Sequence, residues 1–317
     1  MSTVKSTMKV AGSTWAAQSG PLSAWWFRLS NNEHFVGYIF IAPLLVGLLV
    51  FTYGPVLAAF GLSFTKGDYI STPKWIGLDN YRALLQDELF WKSLWNTVYY
   101  VVGVVPLGIV LSLLLALAMN QKLRGIVFYR SIFFLPTITS SVAISLMWLW
   151  IYNPEFGVLN FLLRLVGVKG PAWLSTPEWA MPAVIIMAVW RGLGYNMLIF
   201  LAGLQGIPEV YYEAAEIDGA GGWAKFRYIT VPLLSPTTFM LLILGLIGAF
   251  QVFEYTYVMT GGGPLYSTLT MVLYVYTNAF RFFEMGYASA LAYVLFFILL
   301  GLTLVQFKYQ DRWVHYE

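Results

Sequence analysis

From Phe35 to Thr65 the chain carries no charged side chain. A helix needs about 20 residues to cross roughly 30 Å of hydrocarbon, so this run alone makes lipid the solvent for part of the fold. Uncharged runs recur between Lys92 and Lys122, between Arg130 and Glu155, and between Glu284 and Lys308. Two more are interrupted once each: about Trp179 to Leu204 by Arg191, and about Pro236 to Thr260 by Glu254. Only 10% of the 317 residues are charged and 59% are hydrophobic, against about a quarter charged in a soluble domain. Aromatics at 18% suit ring belts at the headgroups. The predicted fold class is an all-α integral membrane protein of six transmembrane helices.

The same composition excludes several functions. The net charge is +3 with scattered bases, which disfavours nucleic acid as a partner. There is no cysteine, so neither disulfides nor thiolate chemistry. His34 and His315 sit near opposite ends, and no metal site is expected. The first run is too long for a signal-peptide core and no small-residue cleavage pattern follows it, so it is read as retained.

Six crossings put both termini on one side. The stretch QKLRGIVFYR at 121–130 is short, basic and free of acids, and short basic loops face the cytoplasm. Both termini are therefore expected inside the cell. Residues 1–34 are expected to be a mobile cytoplasmic segment, 35–308 the six-helix domain, and 309–317 a short cytoplasmic tail.

One inner loop, 204–235, is unusual. EAAEIDGAGGWAKFRYITVP at 213–232 mixes acids, bases, glycines and proline between apolar runs. Pro208 predicts a helix start, because its missing donor costs nothing there. At 100° per residue Glu209, Glu213 and Glu216 share one stripe, and Gly219, Gly221 and Gly222 then break the helix. Three carboxylates would be repelled by anionic lipid, so a protein partner fits this loop better than a membrane surface.

Glu213-Ala214-Ala215, three residues, Gly219, nine residues, Ile229, then Val231-Pro232 resembles the EAA signature of binding-protein-dependent ABC importer permeases. Val231 stands where leucine is commoner. GLDNYRALL at 77–85, FWKSLWNT at 90–97, LAGLQGIPEVYYEAAEIDGA at 201–220 and FQVFEYTYVMTGGGP at 250–264 resemble the carbohydrate-uptake permeases of the maltose and glycerol-3-phosphate type. The resemblance implies a coupling helix between the fourth and fifth spans, with Glu213, Ala214, Ala215, Asp218, Gly219, Ile229 and Pro232 serving an ATP-binding subunit dimer. It also implies a second homologous permease subunit, an extracytoplasmic solute-binding protein, a place in the cell inner membrane and a sugar or oligosaccharide substrate. The chain has no GK[ST] and hence no P-loop for phosphates. No cofactor is expected on it, ATP and Mg belonging to the partner ATPase, and it is not expected to be an enzyme.

For the path, Arg191 and Glu254 are notable, since an ionisable group inside a span costs roughly 3 kcal/mol and is paired or functional. Their Cα heights differ by about 8–9 Å at 1.5 Å per residue, so a mutual ion pair and a cavity-lining role are both open. Tyr195, Asn196, Gln251 and Tyr255 offer nearby ring faces and hydrogen-bonding groups of the kind a polyol needs. A lone arginine does not specify a phosphate, so a neutral sugar is favoured over a glycerol-phosphate-type solute. A self-sufficient secondary transporter or channel would need titratable ion-coupling groups and internal repeats, and no convincing repeat is present. GLDNYRALLQDELFW reads as a short helix at the outer surface, and TGGGP at 260–264 as a turn ending the fifth span.

Overall fold

The computed structural model describes residues 33–67, 72–121 and 124–314. The expected N-terminal segment lies outside them up to residue 32, as do residues 315–317 of the expected tail. The chain divides into two units, 1–61 and 62–317. In the first, α1 (Glu33–Leu48) passes through a π-helical turn, Leu49–Tyr53, into α2 (Gly54–Leu62). The wide turn lies just before Pro55, which has no N–H to continue the i→i−4 ladder. This helix is apolar all round, the pattern of a membrane span rather than a surface helix.

The second unit opens with a small antiparallel pair, β1 (Thr65–Lys66) and β2 (Lys74–Trp75). Helices α3 (Asp79–Gln86) and α4 (Glu88–Met119) follow. Then come α5 (Ile126–Ile138), α6 (Ser141–Ile151), α7 (Val158–Leu165) and α8 (Pro177–Gly206). The inner loop folds as α9 (Glu209–Ile217), α10 (Gly222–Lys225), a π-helical turn Phe226–Thr230, and α11 (Val231–Leu233). The chain ends with α12 (Ser235–Phe250), α13 (Glu254–Thr260), α14 (Met271–Tyr276) and α15 (Met285–Gln310).

Among the described residues four helices are long and apolar enough to cross a membrane: Val36–Leu62, α4, α8 and α15. Two bent pairs pass the same test together, α5 with α6 at 100° and Gly222–Leu233 with α12 at 60°. Two of the expected spans are broken rather than continuous helices. The third, between Arg130 and Glu155, is not one continuous helix. Pro136 weakens the end of α5, and Thr139 is extended with its hydroxyl donating to the Leu135 carbonyl at 3.0 Å. A side-chain bond that captures a main-chain carbonyl competes with helix propagation. The fifth, about Pro236 to Thr260, stops as a helix at Phe250, and Gln251–Phe253 separate it from α13.

The core of this unit forms where α4, α8, α12 and α15 meet. Val184, Met187, Phe200 and Leu291 are fully buried there, and Tyr152 donates its hydroxyl to the Ala183 carbonyl at 2.8 Å. Gly194 lets α5 approach α8. A Cβ at that position would stand 2.0 Å from the Phe133 carbonyl oxygen.

At the other end of α4, Asp87 caps the helix by accepting from the Leu89 N–H at 2.9 Å. It also accepts from the Tyr274 and Tyr287 hydroxyls, each at 2.5 Å. One carboxylate thus ties α4, α14 and α15 together. Burial alone would raise its pKa, but the two tyrosines and the Leu89 and Phe90 amides outweigh burial and hold it below 3.8.

Candidate transport path and partner-docking loop

A half-open cavity of about 270 Å³ lies between α4, α8, α12 and α13. Its walls are mostly apolar. Space comes from missing side chains: Gly108 on α4, Gly192 on α8, and Gly245 and Gly248 on α12. Polar edges come from Tyr100, Asn196 and Tyr255. Phenol and amide groups in an apolar hollow bind neutral hydroxylated ligands, through ring faces and a few directional hydrogen bonds.

Of the expected path residues, Asn196 and Tyr255 line this cavity. Arg191 stands behind it, donating from Nη1 to the Tyr255 hydroxyl at 2.8 Å and from Nη2 to the Thr139 carbonyl at 3.3 Å. Its own carbonyl accepts from the Thr137 hydroxyl at 3.2 Å. The break between α5 and α6 therefore supplies half of the arginine's environment. Glu254 accepts instead from the Ser141 hydroxyl, at the start of α6.

The mutual ion pair left open by the sequence is not formed. Each charge is held by neutral groups instead: Arg191 by the Tyr255 hydroxyl on α13 and the Thr139 carbonyl, Glu254 by the Ser141 hydroxyl. Tyr195, Gln251 and Glu254 have exposed side chains and do not line this cavity. Sequence reasoning missed Tyr100 and the four glycines. Gly245 and Gly248, three apart in GLIGAF, were the available signal for a hollow helix face.

The docking loop is built around a helix end. Pro208 precedes α9 as its N-cap with extended backbone. At the other end Gly219 has φ +77°, the left-handed conformation that glycine adopts without a Cβ penalty. The Ala220 N–H reaches the Ala215 carbonyl at 2.8 Å and the Gly219 N–H the Glu216 carbonyl at 3.0 Å. These two bonds make a Schellman ending, which satisfies carbonyls the helix leaves open.

Glu209, Glu213, Ala214, Asp218 and Gly219 are exposed, and Ala215 is half-buried. Val210, Tyr211 and Ile217 add apolar surface, Ile217 at 87% exposure. Glu216 is exposed as well, and its Oε1 accepts from the Lys225 ammonium at 2.6 Å. That bond, with the lysine's charge, holds the Glu216 carboxyl below its usual pKa. Ile229 and Pro232 are half-buried in the return segment. Pro232 offers its carbonyl to the Ser235 hydroxyl at 2.6 Å. Tyr212 on α9 meets Thr230 across the loop at 3.0 Å. Gly261 and Gly262 turn with φ +58° and +90° where the fifth span was expected to end.

Residues 108–314 match the family model of the binding-protein-dependent transport system inner membrane component. The chain is 42% identical over 295 residues to the probable ABC transporter permease protein YesP of Bacillus subtilis (strain 168), covering 92% of this chain and 95% of that protein. It is 38% identical over 277 residues to the lactose transport system permease protein LacF of Rhizobium radiobacter, covering 86% and 92%. A chain from the crystal structure of a bacterial ABC transporter involved in the import of the acidic polysaccharide alginate superposes with a TM-score of 0.79 at 26% identity. That match covers 91% of this chain and 99% of the other. The chain belongs to the inner membrane components of binding-protein-dependent transport systems.

Proposed function

We propose that this chain is a permease subunit of an ATP-driven importer for a sugar or oligosaccharide, forming half of the translocation path. It crosses the membrane six times with both termini in the cytoplasm, each bent helix pair counting as one span. A second, homologous permease supplies the other half. A dimer of ATP-binding subunits carries ATP and Mg and does the hydrolysis, and an extracytoplasmic solute-binding protein delivers the substrate. No nucleic acid is involved.

The observation that carries this reading is α9, an exposed helix closed by its glycine ending on a chain without a P-loop. Glu213, Ala214, Ala215, Asp218 and Gly219 present its docking face, while Ile229 and Pro232 set the return path. Small side chains permit close seating in a groove, and the acids can meet basic groups of the ATPase. Nucleotide-driven closure of the motor moves α9 and reopens the path on the other side of the membrane.

In the path, Tyr100, Asn196 and Tyr255 offer hydrogen bonds to sugar hydroxyls. Arg191 orients Tyr255: because the phenol oxygen accepts from the guanidinium, its own proton is free for the ligand. Tyr195, Gln251 and Glu254 line the face shared with the second permease. LacF is named for lactose and the alginate importer for a polysaccharide, which supports a carbohydrate substrate.

The test is affinity purification of the tagged chain from its own membrane, with identification of co-purifying proteins and uptake assays of candidate sugars. A P-loop ATPase and a second multi-span permease should come down together. Purification of the chain alone, with ATP-independent flux in liposomes, would overturn the proposal.

A further inference from the structure

We infer that α7 is an interfacial helix, lying along the bilayer surface with its exposed stripe among the lipid chains. Its sequence, VLNFLLRL, is apolar over one broad arc, with Asn160 and Arg164 together on the remaining side. Leu159 and Leu163 pack onto the protein core. Val158, Phe161, Leu162 and Leu165 recur at the i, i+3, i+4, i+7 spacing of a single helix face, and this face points away from the protein. Phe161, Leu162 and Leu165 are 58, 50 and 68% exposed, and Val166 and Val168 extend the surface.

Of the two polar residues of the helix, Asn160 is turned inward, while Arg164, though exposed, is bent back along the loop onto main-chain carbonyls. Asn160 is buried. Its amide donates to the Pro154 and Pro171 carbonyls at 3.1 and 3.2 Å and accepts from the Trp173 indole at 2.8 Å. Arg164 folds back onto the Glu155, Pro154 and Asn160 carbonyls at 2.5, 3.3 and 3.3 Å. The outward stripe therefore offers water nothing. In an aqueous loop such a patch is a liability unless something covers it.

Its level in the fold identifies what covers it. Helix α7 lies between the end of α6 and the start of α8, where Trp150 and Trp179 are exposed and Trp173 meets Trp179 edge-on at 5.5 Å. Tryptophans gather at the headgroup level. The packed neighbour α6 exposes Leu146, Met147 and Trp150, so both elements present apolar surface at this level. An amphipathic helix in this position seats its apolar face about 5–10 Å into the headgroup–acyl boundary. The polar side of the same loop, with Glu155 and Lys169 at a separate open cavity, stays in water.

The absence of native cysteine permits a direct test. Phe161→Cys, Leu162→Cys and Leu165→Cys are labelled one at a time with an environment-sensitive NBD dye, with Glu155→Cys and Lys169→Cys as references. The full chain is purified with its native partners and placed in nanodiscs with lipids carrying a nitroxide at a shallow acyl position. Retained ATP hydrolysis by the labelled complex verifies folding, and three stripe positions guard against one defective variant. The expected result is blue-shifted emission and loss of intensity to nitroxide lipid at the stripe, with neither change at the references. Water-like emission at the stripe would overturn the inference. So would lipid quenching that appears only in the isolated chain and vanishes in the complex, since a partner subunit would then cover the face.

Discussion

Gly219→Ala isolates the part of the docking loop on which the proposed function rests. Nothing lies within 4 Å of a Cβ built at Gly219, so the substitution creates no clash. Its cost is conformational, because φ is +77° and an L-residue in the left-handed region pays about 1–2 kcal/mol. The strained residue is relieved only by opening the turn, which breaks the Ala220–Ala215 and Gly219–Glu216 bonds. If the ATPase requires the closed turn, its apparent affinity falls by about 5- to 30-fold, the factor that 1–2 kcal/mol represents.

Gly221→Ala is the matched control. It has equally open surroundings, but its φ of −71° suits any residue. The assay is retention of the ATPase across a dilution series, with thermal stability of the isolated chain recorded alongside. Helix α9 is exposed and tied to the body by few bonds, so Tm should hardly move. Equal losses in both variants, or no loss in Gly219→Ala, would refute the argument that a preformed left-handed turn governs docking.

Gly194→Ala is predicted to act in the opposite way. Its Cβ would meet the Phe133 carbonyl at 2.0 Å, and overpacking costs about 1–3 kcal/mol, read as a lower Tm with the ATPase still bound. Asp87→Asn keeps an acceptor for the helix cap but weakens the bonds from Tyr274 and Tyr287, lowering Tm near neutral pH. Because the folded pKa of Asp87 is depressed, the stabilisation is present above 3.8 and fades as pH falls through the lower folded value. Wild type and variant should therefore converge in acid, as melts across pH would record. Tyr100→Phe and Tyr255→Phe each remove one hydrogen-bonding group from the cavity, worth about 0.5–1.5 kcal/mol. KM for uptake should rise by roughly 2- to 10-fold, the equivalent of that energy at 1.4 kcal/mol per decade.

Much of this protein was legible because its two kinds of segment obey different solvents. Charge-free runs mark the apolar helices, and Pro208 and Gly219 mark the docking helix to within a residue or two of Glu209–Ile217. Those signals are local. The partners of Arg191 were not legible, because they depend on the 100° bend between α5 and α6. An uncharged run reads the same whether straight or bent. Only the folded chain brings the Thr139 carbonyl and Ser141 hydroxyl to Arg191 and Glu254. The cavity escaped for a related reason: glycines scattered over three helices make a hollow only after those helices pack.

The bends also suggest how loop and path communicate. The return segment Gly222–Leu233 runs into α12 across a 60° bend, and α12 carries Gly245 and Gly248 at the cavity. Helix α9 is joined to that segment by Tyr212 with Thr230 and by Lys225 with Glu216. The ion pair is solvent-exposed and therefore weak, so the half-buried Tyr212 contact is the firmer strut. Tyr212→Phe removes its hydroxyl while keeping the ring and leaves the docking face of α9 intact. The ATPase should still co-purify at wild-type affinity, while solute moved per ATP hydrolysed falls. Loss of both together would mean that Tyr212 merely holds α9 in shape. Unchanged stoichiometry would mean that force reaches α12 by another route.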